Sequence, residues 1–303
     1  MLSTLSSMLR PPALKPGDRI AVIAPSGPFE PALGWRGLGW LASRYRVEFS
    51  RAMFRSEGYL AGSRQRRATE LARAIEEPEV RAVIAMRGGY GLHHIAHLPD
   101  WSVFARHPKW IVGFSDVTAL HVEATRAGVM SLHAPMVALL GRGCHADRSR
   151  WVRAIEEPCE QRCWSELEVI HEGSARGTLF GGNLTVLHAC AASGRLRVPD
   201  QAILLLEDVT ERPYRLDRML TTLMVGGHLE RVRGVVLGEF TDCHPGADGV
   251  GAERVLREVL APLGVPVVAG LPVGHGLRNE PIVIGASAAV QTNGACGALR
   301  VEA

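Results

Sequence analysis

Apolar residues recur with two different periods along the first half of the chain. Continuous apolar runs such as Arg19–Ala24 and Val80–Met86 are typical of buried strands, whereas Ser63–Glu77 places its apolar residues at helical spacing between charged ones. Strands that alternate with helices favour a parallel sheet covered on both faces. The pattern predicts strands at 19–24, 45–50, 80–86 and 110–114, and helices at 31–44, 63–77 and 117–127, with a further helix running through 95.

The second half of the chain has a looser pattern that is richer in glycine. It predicts strands at 178–180, 202–206, 232–240, 266–269 and 282–289, and helices at 184–193, 215–226 and 251–263. Between the halves the pattern degrades into mixed charge, Cys and Trp, with one short helical piece near 151–157. We therefore predict an α/β protein of two domains: a parallel-sheet domain over 1–142, a linker over 143–172, and a mixed α/β domain over 173–303.

Composition narrows the class of protein and of partner. The 303 residues carry a net charge of +3, and Lys and Arg are scattered, so we expect neither nucleic acid nor an acidic membrane as the main partner. The six cysteines form no CxxC pair, which is typical of reduced thiols. We find no secretion signal and no apolar run of about 18 residues, and we therefore expect a cytoplasmic protein that does not span a membrane.

Ser115 stands at the sharpest transition in the pattern, between the apolar run Trp110–Phe114 and the helical stretch that begins at Val117. A hydroxyl on so tight a strand-to-helix turn projects from the sheet at a helix N-terminus, where unpaired N–H groups favour negative charge. This is the geometry of a catalytic nucleophile elbow. The alternative is an ordinary N-cap, because Ser-Asp before an apolar helix is also typical of capping.

The segment Arg87-Gly88-Gly89-Tyr90-Gly91 follows the preceding predicted strand directly. Glycines let backbone N–H groups approach a ligand without interference from Cβ atoms. The alternatives are a simple tight turn and a phosphate cradle, although neither GxGxxG nor GKS/T is present. Because carboxyl ends of parallel strands meet at one sheet edge, this turn is a candidate donor of N–H groups to an oxyanion beside Ser115.

Two carboxylates and one histidine provide candidates for the remaining parts of a serine hydrolase site. Glu207 and Asp208 end the predicted strand that starts at Ala202, and His275 lies between glycines in a Pro-flanked loop. Ser115, Glu207 and His275 run in the order serine, acid, histidine, an order that also occurs in α/β-hydrolases. The alternative is that the carboxylates are solvated turn residues and the histidine a solvated loop residue.

The spacing of several histidines and cysteines also has to be examined for metal binding. His93, His94 and His97 form H-H-x-x-H, but the glutamate of the HExxH pattern is missing. Cys159 and Cys163 near His145 have no convincingly spaced fourth ligand. We therefore predict no metal site and no cofactor.

Several motifs in the same order resemble the LD-carboxypeptidases, which comprise the muramoyl-tetrapeptide carboxypeptidases and the related microcin-immunity serine peptidases. The resemblance runs from about Leu14 to the C-terminus. It rests on PPALKPGDRIAVIAPSG, RGGYG, KWIVGFSDVTALH, HAPM, GGNLTVL, LLLEDVTERPYRLDRML and LPVGHG. Because position 117 is valine, GxSxG fails, and the lipase or esterase alternative is disfavoured.

The resemblance implies a fold and a set of site residues. It implies an N-terminal α/β domain resembling class I glutamine amidotransferases and a C-terminal mixed α/β domain. It assigns the nucleophile to Ser115, the acid to Glu207 and the histidine to His275. It assigns the oxyanion hole to the backbone N–H of Asp116 and of Gly88 or Gly89.

The resemblance also implies a substrate. The family releases the terminal D-alanine from cytoplasmic muropeptide tetrapeptides in peptidoglycan recycling, and its members are often homodimers. Recognition of a free carboxylate calls for a cation, for which Arg87, Arg212 and Arg215 are candidates, and Tyr90 is a further candidate for substrate contact. Two alternatives remain: a microcin-immunity-type peptidase acting on aminoacyl- or peptidyl-nucleotide antibiotics, and a non-enzymatic muropeptide-binding protein.

Overall fold

The computed structural model describes residues 8–303 and divides them into two compact units. The first unit comprises Met8–Pro158 with Glu280–Ile282, and the second comprises Cys159–Asn279 with Val283–Ala303. Both units combine helices and strands, which confirms the predicted α/β class with two domains. Among the described residues, no helix has the length and apolar character that a membrane crossing requires.

The first unit is built around parallel strands. They are β1 (Arg19–Ile23), β2 (Arg46–Glu48), β3 (Ala82–Ala85), β4 (Trp110–Gly113) and β5 (Ser131–His133). They lie side by side in the order β5-β4-β3-β1-β2, and each neighbouring pair is parallel. The helices are α1 (Pro31–Ala42), α2 (Arg64–Glu76), α3 (Trp101–Arg106), α4 (Thr118–Arg126), α5 (Val137–Leu140) and α6 (His145–Glu156). The carboxyl ends of β1, β3 and β4 therefore share one edge of the sheet.

Local sequence signals explain several of these boundaries. α1 starts at a proline, whose fixed φ and missing N–H suit the first helical turn. α2 begins after Ser63, whose hydroxyl accepts a hydrogen bond from the Arg66 N–H at 3.3 Å. Every residue of β3 and β4 is buried, as expected for strands covered on both faces.

The second unit contains a closed barrel with helices. Its barrel strands are β6 (Arg162–His171), β7 (Ser174–Asn183), β8 (Ala202–Val209), β9 (Val232–Thr241), β10 (Val267–Ala269), β12 (Ser287–Asn293) and β13 (Cys296–Glu302). The short strand β11 (Ile282–Ile284) is not part of the barrel, and its first residue belongs to the first unit. The barrel order is β10-β6-β13-β12-β7-β8-β9. Pairs along β7-β8-β9-β10 are parallel and the other pairs are antiparallel. The helices are α7 (Leu184–Ala192), α8 (Pro213–Val225) and α9 (Ala252–Leu260).

Burial along the barrel strands follows their position. Inward positions alternate with exposed ones on β12 and β13, whereas seven consecutive residues of β8, from Ala202 to Asp208, are buried. β8 is therefore covered on both faces, which places its last carboxylates in a protein environment instead of in solvent.

Three predictions about elements are wrong. The segment 143–172, predicted as a linker, contains α6 of the first unit and β6 of the second. The predicted helix through Ile95 is a 3-10 turn at Leu92–His94. The predicted strand at 282–289 is two strands, β11 and β12, separated at Gly285, which has a φ of 93°.

Candidate active site

Ser115 occupies a strained backbone position directly after β4. Its φ is 63°, in the left-handed region that serine rarely adopts, and a 3-10 helix over Ser115–Val117 leads from it into α4. Within the described part of the chain, no side chain caps either the 3-10 helix or α4. An N-cap serine would have an extended backbone and would accept an N–H bond. The ordinary capping role is therefore excluded for Ser115.

The turn also depends on Gly113. A Cβ atom at this position would lie 2.7 Å from Cγ2 of Val117, closer than side chains pack. Glycine therefore lets β4 turn directly into the helix. The structure thus contains the tight strand-to-helix turn that the sequence predicted.

Gly88 lies against Ser115. A Cβ atom on Gly88 would be 2.9 Å from the Cβ of Ser115 and 3.1 Å from its Oγ, so only glycine leaves room beside the hydroxyl. Gly89, with a φ of 110°, faces Gly27 instead. Among residues 8–303, neither the Gly88 N–H nor the Gly89 N–H has a hydrogen-bond acceptor. The glycine turn therefore brings an unpaired donor close to the serine.

The side chain of Asp116 has a role that sequence reasoning missed, because the motif drew attention only to its backbone N–H. The carboxylate is buried, and its Oδ2 accepts hydrogen bonds from Ser26 Oγ at 2.6 Å and from the Leu92 N–H at 2.9 Å. Burial raises the pKa of Asp116, whereas the two hydrogen bonds and the positive charge of Arg67 act against that rise. The carboxylate therefore ties the ends of three strands together.

In the second unit, Glu207 and His275 form a direct pair. Glu207 Oε2 accepts a hydrogen bond from His275 Nδ1 at 2.7 Å, and the Glu207 side chain is fully buried. Burial raises the pKa of Glu207, and the hydrogen bond with His275 opposes the rise. Because the carboxylate holds the proton on Nδ1, Nε2 is the nitrogen that can accept a proton.

The loop that carries His275 is held against this carboxylate. Gly274 has a φ of 138°, and a Cβ atom there would lie 3.3 Å from both Cβ and Oε2 of Glu207. Its N–H donates to Oδ1 of Asn279 at 3.2 Å. The glycine before the histidine thus allows a close approach that a larger residue would obstruct.

Asp208, next to Glu207 on β8, has different partners. Its carboxylate accepts hydrogen bonds from Asn183 Nδ2 at 3.0 Å and from the N–H and hydroxyl of Thr185 at 2.9 and 2.8 Å. Successive strand residues point to opposite faces. Asp208 therefore anchors the start of α7, and Glu207 alone of the two bonds to His275.

The candidate substrate-binding arginines all have contacts within their own unit. Arg87 donates to the carbonyl of Pro28, and Arg212 donates to the carbonyl of Pro245 at 3.0 Å. Arg215 lies over the ring of Tyr214 at 5.9 Å. These contacts orient each guanidinium without distinguishing which one would bind a substrate carboxylate.

Tyr90 belongs to an exposed aromatic cluster. Its ring is 5.8 Å from that of Tyr59, and its hydroxyl lies 3.1 Å from Nε2 of His94. Tyr59 and Tyr90 are 70% and 49% exposed, so both rings present much of their surface to solvent. Part of the H-H-x-x-H pattern is thus explained, since His94 supports Tyr90.

His121 was not singled out by the sequence analysis. It is buried in α4, where Nε2 lies 3.0 Å from the carbonyl of Gly113 and Nδ1 lies 2.8 Å from Oγ of Ser131. A carbonyl only accepts, so Nε2 carries the proton and Nδ1 accepts from the serine hydroxyl. Burial lowers the pKa of His121 to about 4. The signal in the sequence that could have identified this residue is a histidine flanked by apolar residues within a predicted helix.

Comparison with known proteins shows the family of this chain. Residues 20–134 match the LD-carboxypeptidase N-terminal domain, and residues 176–290 match the LD-carboxypeptidase C-terminal domain. A putative carboxypeptidase of Synechocystis is 37% identical to this chain, and the alignment covers 95% of this chain and 96% of that protein. The murein tetrapeptide carboxypeptidase of Pseudomonas aeruginosa is 35% identical to this chain, and the alignment covers 78% of this chain and 80% of that protein.

A solved structure gives the same result for the fold. The muramoyltetrapeptide carboxypeptidase of Oxalobacter formigenes superposes with a TM-score of 0.83 at 29% identity, over 94% of this chain and 99% of that chain. The matches to both domain models and to full-length relatives together cover most of the sequence. The chain therefore belongs to the LD-carboxypeptidase family.

Proposed function

We propose that this chain is a serine-type LD-carboxypeptidase that releases the terminal D-alanine from muropeptide tetrapeptides, with Ser115, Glu207 and His275 as its triad. The left-handed backbone of Ser115 is the observation that carries the proposal, because it removes the capping alternative and is typical of a nucleophile elbow. The Glu207–His275 hydrogen bond of 2.7 Å supports the assignment of the base and its orienting acid.

In the proposed reaction, Oγ of Ser115 attacks the carbonyl carbon of the last peptide bond while Nε2 of His275 accepts the hydroxyl proton. The carbonyl electron pair moves to oxygen and forms a tetrahedral oxyanion. Collapse of this intermediate breaks the C–N bond, and His275 returns the proton to the leaving amine of D-alanine. Water then releases the acyl group by the same sequence, with His275 again as base.

Glu207 contributes by holding the imidazole in the required tautomer and by stabilising the imidazolium that forms. Its complete burial keeps this interaction out of competition with water. The backbone N–H groups of Gly88 and Asp116 would bind the oxyanion, and Gly89 is the alternative donor. Each such donor contributes roughly 3 kcal/mol, so its loss would slow turnover by about a hundredfold or more.

The proposed substrate class follows from the family and from what two relatives are named for. The Pseudomonas aeruginosa relative is named a murein tetrapeptide carboxypeptidase, and the Oxalobacter formigenes protein is named a muramoyltetrapeptide carboxypeptidase. An enzyme that removes a terminal residue must bind a free carboxylate, for which Arg87 and Arg212 are the proposed cations and Tyr90 a proposed contact. A role in peptidoglycan recycling, a cytoplasmic setting and a homodimeric state belong to the same proposal.

Mass spectrometry of a tetrapeptide ending in D-alanine tests the proposal. The wild-type chain should remove one alanine, and Ser115→Ala should lose this activity by several orders of magnitude while folding normally. Ser63→Ala is the matched control, because Ser63 accepts the Arg66 N–H as a true helix cap. It should lower stability by about 1 kcal/mol and leave turnover unchanged.

Other outcomes would replace parts of the proposal. Equal activity of Ser115→Ala and wild type would contradict the nucleophile assignment. A tetrapeptide that stays intact while an aminoacyl-sulfamoyl nucleoside is cleaved would replace the substrate class by that of the immunity peptidases. Binding of the tetrapeptide without any labelling of Ser115 by a serine-directed probe would favour a non-enzymatic binder.

A further inference from the structure

The carboxylate of Asp116 joins three strand-end turns that carry the parts of the proposed oxyanion site. Ser26 lies in the turn after β1, Leu92 follows the glycine turn after β3, and Asp116 itself follows β4. Both donors bond to the same oxygen, Oδ2, at 2.6 and 2.9 Å. Ser26 is completely buried and Asp116 is 4% exposed, so water does not compete for these bonds.

Arg67 joins two of these turns as a hydrogen-bond donor. This arginine of α2 is 1% exposed, and its Nη1 donates to the carbonyls of Pro25 at 2.7 Å and of Gly91 at 2.9 Å. Its positive charge also favours the ionised form of Asp116. A buried arginine and a buried carboxylate therefore compensate each other while each binds the turns after β1 and β3.

A backbone hydrogen bond connects this network to the nucleophile. The Gly27 N–H donates to the carbonyl of Gly88 at 3.1 Å, next to Ser26 in the turn after β1. The Gly88 backbone in turn lies against Ser115. The Gly88 carbonyl belongs to the peptide whose N–H is that of Gly89, and the Gly88 N–H lies in the adjoining peptide across the Cα of Gly88. Movement of the turn after β1 would therefore move the Gly88–Gly89 peptide directly and the Gly88 N–H through that shared Cα.

We propose that Asp116, Ser26 and Arg67 form a positioning network that holds the Gly88 backbone in register with Ser115 for oxyanion binding. This inference rests on the proposed function, and it adds three positioning residues to the proposed active site. None of the three side chains needs to touch the substrate: each acts through the turns that it holds. The expected consequence is a loss of transition-state stabilisation and not of substrate affinity.

A matched pair of hydroxyl deletions tests this inference. Ser26→Ala and Tyr45→Phe each remove one hydroxyl that donates to a carboxylate of the first unit, Asp116 and Glu156 respectively. Among the described residues, Tyr45 has no hydrogen bond or ring contact with any of the three turns. Ser26→Ala should lower kcat about tenfold with KM within about twofold, since oxyanion donors act mainly on the transition state. Tyr45→Phe should lower the melting temperature and leave kcat unchanged when assayed well below that temperature.

Two replacements of Asp116 should lower kcat to different extents. Asp116→Ala removes both accepted hydrogen bonds and should lower kcat by about a hundredfold, comparable with the deletion of an oxyanion donor. Asp116→Asn keeps an oxygen at the same place and should recover most of that loss. The rate of covalent labelling of Ser115 by a fluorophosphonate should fall in parallel with kcat, and this measurement does not depend on the natural substrate.

The outcomes separate this inference from the proposed function. A labelled wild type that leaves the tetrapeptide intact overturns the proposed substrate, while the labelling rates still test the network. Labelling of Ser26→Ala and Asp116→Ala at the wild-type rate overturns the network and leaves the nucleophile assignment intact. Equal kcat losses in Ser26→Ala and Tyr45→Phe at matched melting temperatures also overturn it. A wild type that is neither active nor labelled overturns both.

Discussion

The imidazole of His121 is expected to make the first unit less stable in acid, and its replacement by asparagine tests this expectation. His121 is buried between α4 and the sheet, with one ring nitrogen on the Gly113 carbonyl and the other on the Ser131 hydroxyl. Protonation would place a second N–H against that hydroxyl and a positive charge in a buried site. Burial accordingly lowers the pKa of His121 from 6.5 to about 4.

The magnitude follows from proton linkage. Between pH 6.5 and 4 the unfolded chain binds a proton on His121 that the folded chain excludes, so stability falls as the pH falls through this window. The stabilisation is fully present above pH 6.5. Relative to that plateau, the loss is about 2 kcal/mol at pH 5 and about 3 kcal/mol at pH 4. It levels off below pH 4, where the folded chain also becomes protonated.

Urea unfolding at pH 7 and pH 5 measures the effect. Tryptophan fluorescence reports mainly on the first unit, because Trp35, Trp40, Trp101, Trp110 and Trp151 belong to it and Trp164 to the second. With a slope of about 2 kcal/mol per molar urea, His121 should account for about 1 M of the midpoint shift between the two pH values. His121→Asn should lose this part of the shift, whatever its stability at pH 7.

His107→Asn is the control, because His107 is an exposed histidine of the same unit. Its pH dependence should match that of the wild type. If His121→Asn and wild type show the same midpoint difference between pH 7 and pH 5, the buried imidazole does not carry the acid sensitivity. The linkage argument for this site would then be refuted.

Three further predictions concern the proposed site. Glu207→Gln should lower kcat by about four orders of magnitude because the histidine loses its orienting carboxylate, whereas Asp208→Asn should lower the melting temperature and change kcat only a few-fold. Gly88→Ala should lower kcat at least tenfold, because the added Cβ would crowd the Ser115 hydroxyl. Its control is Gly39→Ala on α1, where the added Cβ would enter open space and should stabilise the chain by up to about 1 kcal/mol. Steady-state kinetics measures the first effect and thermal unfolding the second. Tyr90→Ala should raise KM for the tetrapeptide about three- to tenfold with kcat retained, and an unchanged KM would remove Tyr90 from substrate contact.

The predicted elements agree best with the observed ones where one face of a helix or both faces of a strand are apolar. The helix predicted at 63–77 is α2 (Arg64–Glu76), and the strand predicted at 110–114 is β4 (Trp110–Gly113). β6 escaped prediction because Leu167 is its single buried residue, so its sequence lacks alternation. Its pairing with β10 and β13 forms through backbone hydrogen bonds, which side-chain periodicity does not reveal.

The sequence by itself determined the local features of this protein: the tight turn at Ser115, the glycines at 88 and 113, and the motifs that identify the family. Each depends on residues within a few positions of one another, where backbone sterics limit the choice. The tertiary structure decided the partners of the buried carboxylates. Glu207 bonds to a histidine 68 positions away and Asp116 to a serine 90 positions away, whereas Asp208 anchors a helix. Such pairs depend on which strand ends meet in three dimensions, and no local pattern contains that information.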